Sequence, residues 1–414
     1  MQHRMSSSLF LDAVLLGLMI LTTGSTSAST GSGDALSRTL QLPKASLLVM
    51  ERGRPVISRH SDRAMVPAST IKILIALAAI DRWGLEHRFH TDFYLGNDDW
   101  LWIKGYGDPY LVSEELNRIA EALKAQGVWE VAGIGTDGSY FDPNLAIKGR
   151  SSSDNPYDAP VTSLAANFNT VNVINQGGKI RSAEAQTPLT PMARRFGQQL
   201  EAGEHRVNLA QREKAVRYFG ELLSAKLEQV GIQVGSGLRN GPLPTGIKQR
   251  YRHWNSRNLR SVLAAMLKYS NNFIANALFL KLADRGDGRT LNMPKAQRAF
   301  AHWVDQTFNW RGYRIEDGAG LSRGNRLSAR QLLEAVSAFA PHRTLLPKQS
   351  VHIRAKTGTL RGVSCYAGFV KRNGWWEPFS LMINQPVPYN LCRQVANALA
   401  NTPDLTRLCP GGNC

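Results

Sequence analysis

Ser69-Thr-Ile-Lys72 places a hydroxyl at the first turn of a helix and an amine one turn later on the same face, within hydrogen-bonding reach of each other. Residues 71–80 are apolar nearly all round and are interrupted only by Lys72. Burial there disfavours the ammonium form, so Lys72 can take a proton from Ser69 and make it a nucleophile. The N–H groups at the helix start offer half of an oxyanion hole. Ser-x-x-Lys alone is equally compatible with a capping serine and a lysine that snorkels to water. Further motifs must decide.

Two more do so. Lys356-Thr357-Gly358-Thr359 ends a strand-like run and precedes another strand. This pattern predicts an edge strand whose Lys356 puts a cation beside the nucleophile and whose Gly358 lets a substrate backbone come close. Ser-x-Asn occurs three times, at Ser153-Asp-Asn155, Ser256-Arg-Asn258 and Ser270-Asn-Asn272. The first lies in a polar loop ahead of Pro156 and the second opens an exposed basic helix. The third sits between two helix patterns, 259–268 and 273–281, so Ser270 and Asn272 are selected.

The elements that must position these residues begin with a Gly/Ser-rich linker to about Gly33 and a hairpin pattern around Arg52-Gly-Arg54. The nucleophile helix follows. Residues 87–245 then read as a separate block, with short strands, a helix over 113–126, a Ser/Asn/Pro loop at 151–156 and a basic helix over 211–229. Helices resume at Leu259, followed by strands at 351–356, 362–371 and 379–384 and a helix over 390–400. Segments 29–86 and 246–414 thus form one sheet-and-helix domain, interrupted by the inserted block 87–245. His87 and His90 beside Glu86 lack the spacing of a metal motif and read as part of a strand over 88–95; no metal site is expected.

A 414-residue chain exceeds the size of one hydrophobic core. With 43% hydrophobic and 20% charged residues, disorder and fibre are excluded. Arg4, a nine-residue apolar run from Ala13 and small residues at Thr26 and Ala28 spell a secretory leader over 1–28, too short to span a bilayer. The four cysteines, Cys365, Cys392, Cys409 and Cys414, permit disulfides in an exported chain, although Cys365 sits in a strand pattern that predicts a buried thiol. A net charge of +18 points to an anionic partner. Nucleic acid is disfavoured because the basic cluster at 248–260 interleaves only Tyr251 and Trp254.

With the three motifs in this order, the chain resembles the class C penicillin-binding proteins, D-alanyl-D-alanine carboxypeptidase/endopeptidases. Gly105-Tyr-Gly-Asp-Pro109, residues 159–169, Asp317-Gly-Ala-Gly-Leu-Ser322 and Ala355-Lys-Thr-Gly-Thr-Leu360 are similar to that family's recurrent stretches, and the likeness covers nearly the whole mature chain. Asn271 stands where the family usually has Asp, and Ala319 where Ser is common. The resemblance implies a mixed α/β fold like that of serine β-lactamases and DD-peptidases, with a large insertion between the first two motifs. It implies Ser69 as nucleophile, Lys72 as base and Ser270 as proton relay. Asn272 would orient Lys72 and bind the substrate amide, and Lys356, Thr357, Gly358 and Thr359 would bind the terminal carboxylate and oxyanion. No cofactor is implied. The implied partners are peptidoglycan peptides and β-lactam antibiotics in the periplasm, with peripheral or no membrane association. A β-lactamase would need a deacylating Glu; in Ser113-Glu-Glu-Leu-Asn117 a serine stands at that place, and Glu114 and Glu115 read as a helix-start charge pair. A non-catalytic wall-binding or penicillin-sensing module would have lost Ser69, Lys72 or Lys356, and all three are present.

Overall fold

The hairpin at the start of the chain turns through Arg52 and Gly53, both left-handed at φ 49° and 76°, the geometry that matches the twist of two paired strands. It belongs to a computed structural model that describes residues 31–406. The leader, Cys409 and Cys414 lie outside the described residues. In chain order the elements are α1 (Gly31–Gln41), β1 (Ala45–Glu51), β2 (Arg54–Arg59), α2 (Lys72–Trp83), β3 (Arg88–Leu95), β4 (Trp100–Gly105), α3 (Ser113–Ala125) and β5 (Glu130–Asp137). Next come β6 (Thr170–Gln176), β7 (Lys179–Ser182), α4 (Pro191–Gln198), β8 (Gly203–Asn208), α5 (Arg212–Gln229), β9 (Gln233–Asn240) and β10 (Lys248–Asn258). The chain continues with α6 (Leu259–Tyr269), α7 (Asn272–Lys281), α8 (Met293–Phe308), α9 (Ala329–Ala338), β11 (Lys348–Ser350), β12 (Ile353–Leu360), β13 (Val363–Arg372), β14 (Trp375–Ile383) and α10 (Leu391–Asn401). Among the described residues no helix is long and apolar enough to cross a membrane.

Both ends of the chain build one six-stranded sheet in the order β11-β12-β13-β14-β1-β2, so the first strand pairs with the last, Ala45 opposite Ile383. The pleat gives that sheet two apolar faces. One packs on α2 and α6 to α9, where Ile73, Leu74, Leu278, Phe279 and Phe339 are buried. The other packs on α1 and α10 through Leu47, Tyr366, Leu381 and Val395. The Gly/Ser-rich start is no plain linker: α1 begins within it, and its Ala35 and Leu36 are buried against this second face.

The middle block has a core of its own, with Phe93, Ile103, Leu116, Ile134, Phe219 and Leu223 at its centre. A five-stranded sheet, β10-β3-β4-β5-β9, and a three-stranded sheet, β7-β6-β8, surround it. β10, which a junction at 245/246 assigns to the flanking segments, pairs with β3 instead. The inward positions of β10 carry Tyr251, His253 and Asn255 while Trp254 faces out and is exposed, so no apolar alternation marks its membership in the sequence. The helix-start pair also resolves differently. Glu114 is exposed, but Glu115 is buried and accepts hydrogen bonds from the Ser256 amide at 3.0 Å and hydroxyl, with His253 Nε2 at 2.8 Å. Burial works against its charge, yet these bonds outweigh it and hold the carboxyl down to about 2.

Cys365 and Cys392 are free, buried thiols. Residues 88–95 form β3 as expected, with His87 stacked on Trp83 and His90 packed between Tyr106 and Trp254.

Candidate active site

Ser69 lies in a short 3₁₀ turn, 68–71, that runs straight into α2. Ala68, immediately before it, is left-handed at φ 47°, a conformation that costs a residue with a Cβ about 1 kcal/mol or more. Its carbonyl is pinned by Gly320, itself at φ 82°, where a Cβ would sit 2.0 Å from Ala68 O. The strained turn leaves Ser69 half-buried with its hydroxyl over the first turn of α2.

Lys72 is fully buried, and its Nζ lies 2.8 Å from Ser69 Oγ, 2.9 Å from Asn272 Oδ1 and 2.6 Å from the Ala319 carbonyl. An ammonium donates to all three. A neutral amine has two N–H groups for Asn272 and Ala319, leaving its lone pair directed at the serine hydroxyl. Burial pushes Lys72 well below the usual lysine range, and the charge of Lys356 pushes it further; Asp317 opposes them. The neutral, proton-accepting form is thereby favoured.

The Ala319 carbonyl also lies 3.1 Å from Ser69 Oγ, as an acceptor for its hydroxyl. Its role passes through the backbone, so having alanine where serine is common removes nothing from this contact. The turn is locked by Asp317, whose carboxylate accepts from the amides of Ala319, Leu321 and Ser322 and from Asn325 Nδ2. Asn276 Oδ1 accepts from the Gly318 and Ala319 amides at 2.9 and 3.2 Å. Asn276 and the Ala319 carbonyl are the parts that sequence reasoning missed. The Gly-rich stretch at 317–322 was the available signal.

Ser270 ends α6 in the left-handed conformation at φ 53°. Asn271 then caps α7, its Oδ1 accepting from the Ile274 amide at 2.9 Å, so the residue that departs from the family pattern still fixes the loop. Asn272 points inward: Oδ1 accepts from Lys72, while Nδ2 donates to the Tyr157 carbonyl at 3.0 Å. Ser270 Oγ accepts from Lys356 Nζ at 2.9 Å. No hydrogen bond joins Ser270 to Ser69 or Lys72 among the described residues. Burial lowers Lys356 to about 8. The other two Ser-x-Asn stretches are structural. Ser153 and Asn155 bond each other and receive Asn208 on their carbonyls, and Ser256 is held by Glu115 while Asn258 caps α6.

β12 is not the outermost strand, since β11 lies beyond it. However, β11 reaches only Ile353 and Arg354, so residues 356–360 keep an open edge. Lys356 and Gly358 face the helical layer, and the side chains of Thr357 and Thr359 are exposed. Gly358 also meets a constraint that the sequence does not show. A Cβ there would stand 2.9 Å from the Pro67 carbonyl and 3.0 Å from the amide nitrogens of Ser69 and Thr70. It admits the turn that carries the nucleophile.

The D-Ala-D-Ala carboxypeptidase 3 (S13) family model matches residues 40–194 and 197–351. A D-alanyl-D-alanine carboxypeptidase of Actinomadura sp. (strain R39) is 23% identical over 439 residues, covering 84% of this chain and 79% of that protein. Among solved structures, penicillin binding protein 4 of Haemophilus influenzae is similar with a TM-score of 0.71 at 20% identity, over 90% of this chain and 99% of that one. A predatory peptidoglycan endopeptidase of Bdellovibrio bacteriovorus reaches 0.52 at 14% identity, over 86% and 90%. The chain therefore belongs to the D-Ala-D-Ala carboxypeptidase 3 (S13) family and is a serine hydrolase of the DD-peptidase type, acting on peptidoglycan.

Proposed function

We propose that Ser69 is the nucleophile and Lys72 its base in cleavage of the bond after the penultimate D-alanine of peptidoglycan stem peptides, as a carboxypeptidase, an endopeptidase, or both. The observation that carries this reading is the contact set of Lys72: a buried amine 2.8 Å from Ser69 Oγ whose other two partners, Asn272 Oδ1 and Ala319 O, are both acceptors. Lys72 takes the Ser69 proton as Oγ attacks the carbonyl carbon. The oxyanion falls to the amides of Ser69 and Thr359. Ser270, polarised by Lys356, donates a proton to the leaving amine and is reprotonated from Lys72. Water then hydrolyses the acyl-enzyme by the same groups in reverse.

Thr357 and Thr359 bind the carboxylate that follows the scissile bond, and Asn272 holds Lys72 and, with its second N–H, the substrate amide. β-Lactams acylate Ser69 by the same route; penicillin binding protein 4 of Haemophilus influenzae, similar in fold, has been solved in complex with a β-lactam. The leader over 1–28 places the enzyme in the periplasm, where its +18 charge favours the anionic wall. The block beginning at residue 87 is an inserted domain that shapes access to the site, Tyr157 being its contribution to Asn272. Incubation of mature protein with a fluorescent penicillin tests the reading. A covalent label that is long-lived and absent in Ser69→Ala is expected. Rapid loss of label indicates a β-lactamase, and no label on folded protein overturns the assignment.

A further inference from the structure

The two helices that begin beside the nucleophile, α2 with Lys72 and α7 with Asn272, also end near one another: Arg82, late in α2, donates to the Asp284 carbonyl just past α7 at 3.0 Å. Where they end, a groove of about 960 Å³ opens, with α8 along its other side. That volume lies within the range of ligand sites. The run from Lys72 to Arg82 along α2 covers about 15 Å at 1.5 Å per residue, so the groove is separate from the catalytic centre.

Its lining has an apolar part and a cationic part. Ala78, Leu282, Ala299 and Trp303 supply the first. Five Lys and Arg side chains stand there against three Asp, and each carboxylate already has a donor within the protein. Asp81 takes the Trp303 indole N–H at 2.9 Å and Asp284 the Tyr140 hydroxyl at 2.6 Å, while Asp287 takes the Arg289 amide at 3.1 Å and pairs with its guanidinium at 3.5 Å.

The cations are less fully engaged. Arg82 and Lys295 donate to carbonyls, which leaves their charge uncancelled. Arg285 and Arg298 are exposed and have no hydrogen bond or ion pair among the described residues. The C-terminal end of α2 accounts for Arg82, but Arg298 lies in the first half of α8, where the helix dipole favours no cation. Charge and shape together fit an anionic ligand with small apolar groups.

We propose that this groove is an exosite for a second stem peptide of polymeric peptidoglycan, with Arg285 and Arg298 on its carboxylates and the apolar lining against its alanine methyl groups. The proposal rests on the reading of Ser69 as a DD-peptidase nucleophile. Guanidinium groups bind carboxylates through paired N–H donors. A stem held in the groove keeps its neighbours on the same polymer close to Ser69, a gain that a short soluble peptide cannot share because it fills one place or the other.

The test measures co-sedimentation of the mature protein with purified, lipid-free sacculi alongside kcat/KM for an N-acylated D-Ala-D-Ala peptide. Arg285→Gln combined with Arg298→Gln should weaken sacculus binding by about 5- to 30-fold, the upper range for two exposed charge pairs, and leave the soluble peptide's kcat/KM and the penicillin labelling of Ser69 unchanged. Wild type already acylated by penicillin should still sediment. Sacculi whose carboxyls have been converted to carboxamides should hold the wild type no more tightly than ordinary sacculi hold the double variant. Binding that is unchanged in the double variant, lost on acylation of Ser69 or kept on amidated sacculi overturns the exosite and leaves the DD-peptidase reading intact. Wild-type protein that binds sacculi through these arginines, yet neither cleaves the peptide nor takes the label, overturns the DD-peptidase reading and with it the exosite's catalytic purpose.

Discussion

Replacing Gly358 with alanine puts a methyl group where three backbone atoms already are: Pro67 O at 2.9 Å and the nitrogens of Ser69 and Thr70 at 3.0 Å. Comfortable carbon contacts begin near 3.5 Å, so the strand and the turn must separate by a few tenths of an ångström. No flexible side chain can give way, and overpacking of this kind costs about 1–3 kcal/mol. At about 2 °C per kcal/mol for a chain of this size, Tm falls by about 2–6 °C. The displaced atoms are those that hold the nucleophile. Misplacement by about 1 Å can cost about 100-fold, so a shift of a few tenths should slow acylation by about tenfold. Differential scanning fluorimetry and the second-order rate of penicillin labelling measure the two effects. If Gly358 merely made room for substrate, Gly358→Ala would raise KM and leave Tm alone; that result refutes the reasoning.

Lys72→Met removes the base and should slow labelling by about 10²- to 10⁴-fold without loss of fold, as followed by stopped-time gel fluorescence and circular dichroism. Labelling needs Lys72 neutral and Lys356 charged. It should therefore rise as pH climbs through the depressed Lys72 value and fall as Lys356 loses its proton near pH 8, and a basic limb above about pH 10 contradicts this. Lys281 is buried, also lowered to about 8 by burial, and donates to the Tyr106 carbonyl at 2.5 Å. Between pH 8 and 10.5 the unfolded chain carries more of its proton, so this residue makes stability rise with pH there by up to about 3 kcal/mol; urea melts of Lys281→Met should show a shallower rise. Asn271→Asp swaps one good cap for another and should move stability by less than about 0.5 kcal/mol, whereas Asn271→Ala should cost about 1 kcal/mol in the same assay.

The chemistry was more legible than the frame around it. Ser69, Lys72, Asn272, Ser270 and Lys356 are named by side-chain type at fixed spacing, and the structure joins them in two hydrogen-bonded sets, Ser69 with Lys72 and Asn272, and Ser270 with Lys356. Groups that act through the backbone leave no such trace: the Ala319 carbonyl could have any side chain, and the Tyr157 carbonyl is delivered by a loop whose own Ser-x-Asn was a distraction. The glycine at 358 was visible, but the neighbour it admits was not, because close approach is a property of two segments distant in sequence. Glu115 shows the same limit. Beside Glu114 it reads as solvated, and only the fold brings His253 and Ser256 onto it.

The pairing of β1 with β14 also governs the order in which the chain can fold. The catalytic sheet cannot close until residue 383 is available to residue 45, which makes it a high-contact-order structure, slow to form and exposed while it waits. The middle block needs no such patience. Its core is drawn from residues between 93 and 232, apart from Val234 and Tyr251 packed at its edge, and its two sheets are built from strands between 88 and 258. An early-folding centre with late-joining ends keeps Ser69 and Lys72 unassembled until the last strands arrive. Hydrolytic activity then appears only on a completed chain.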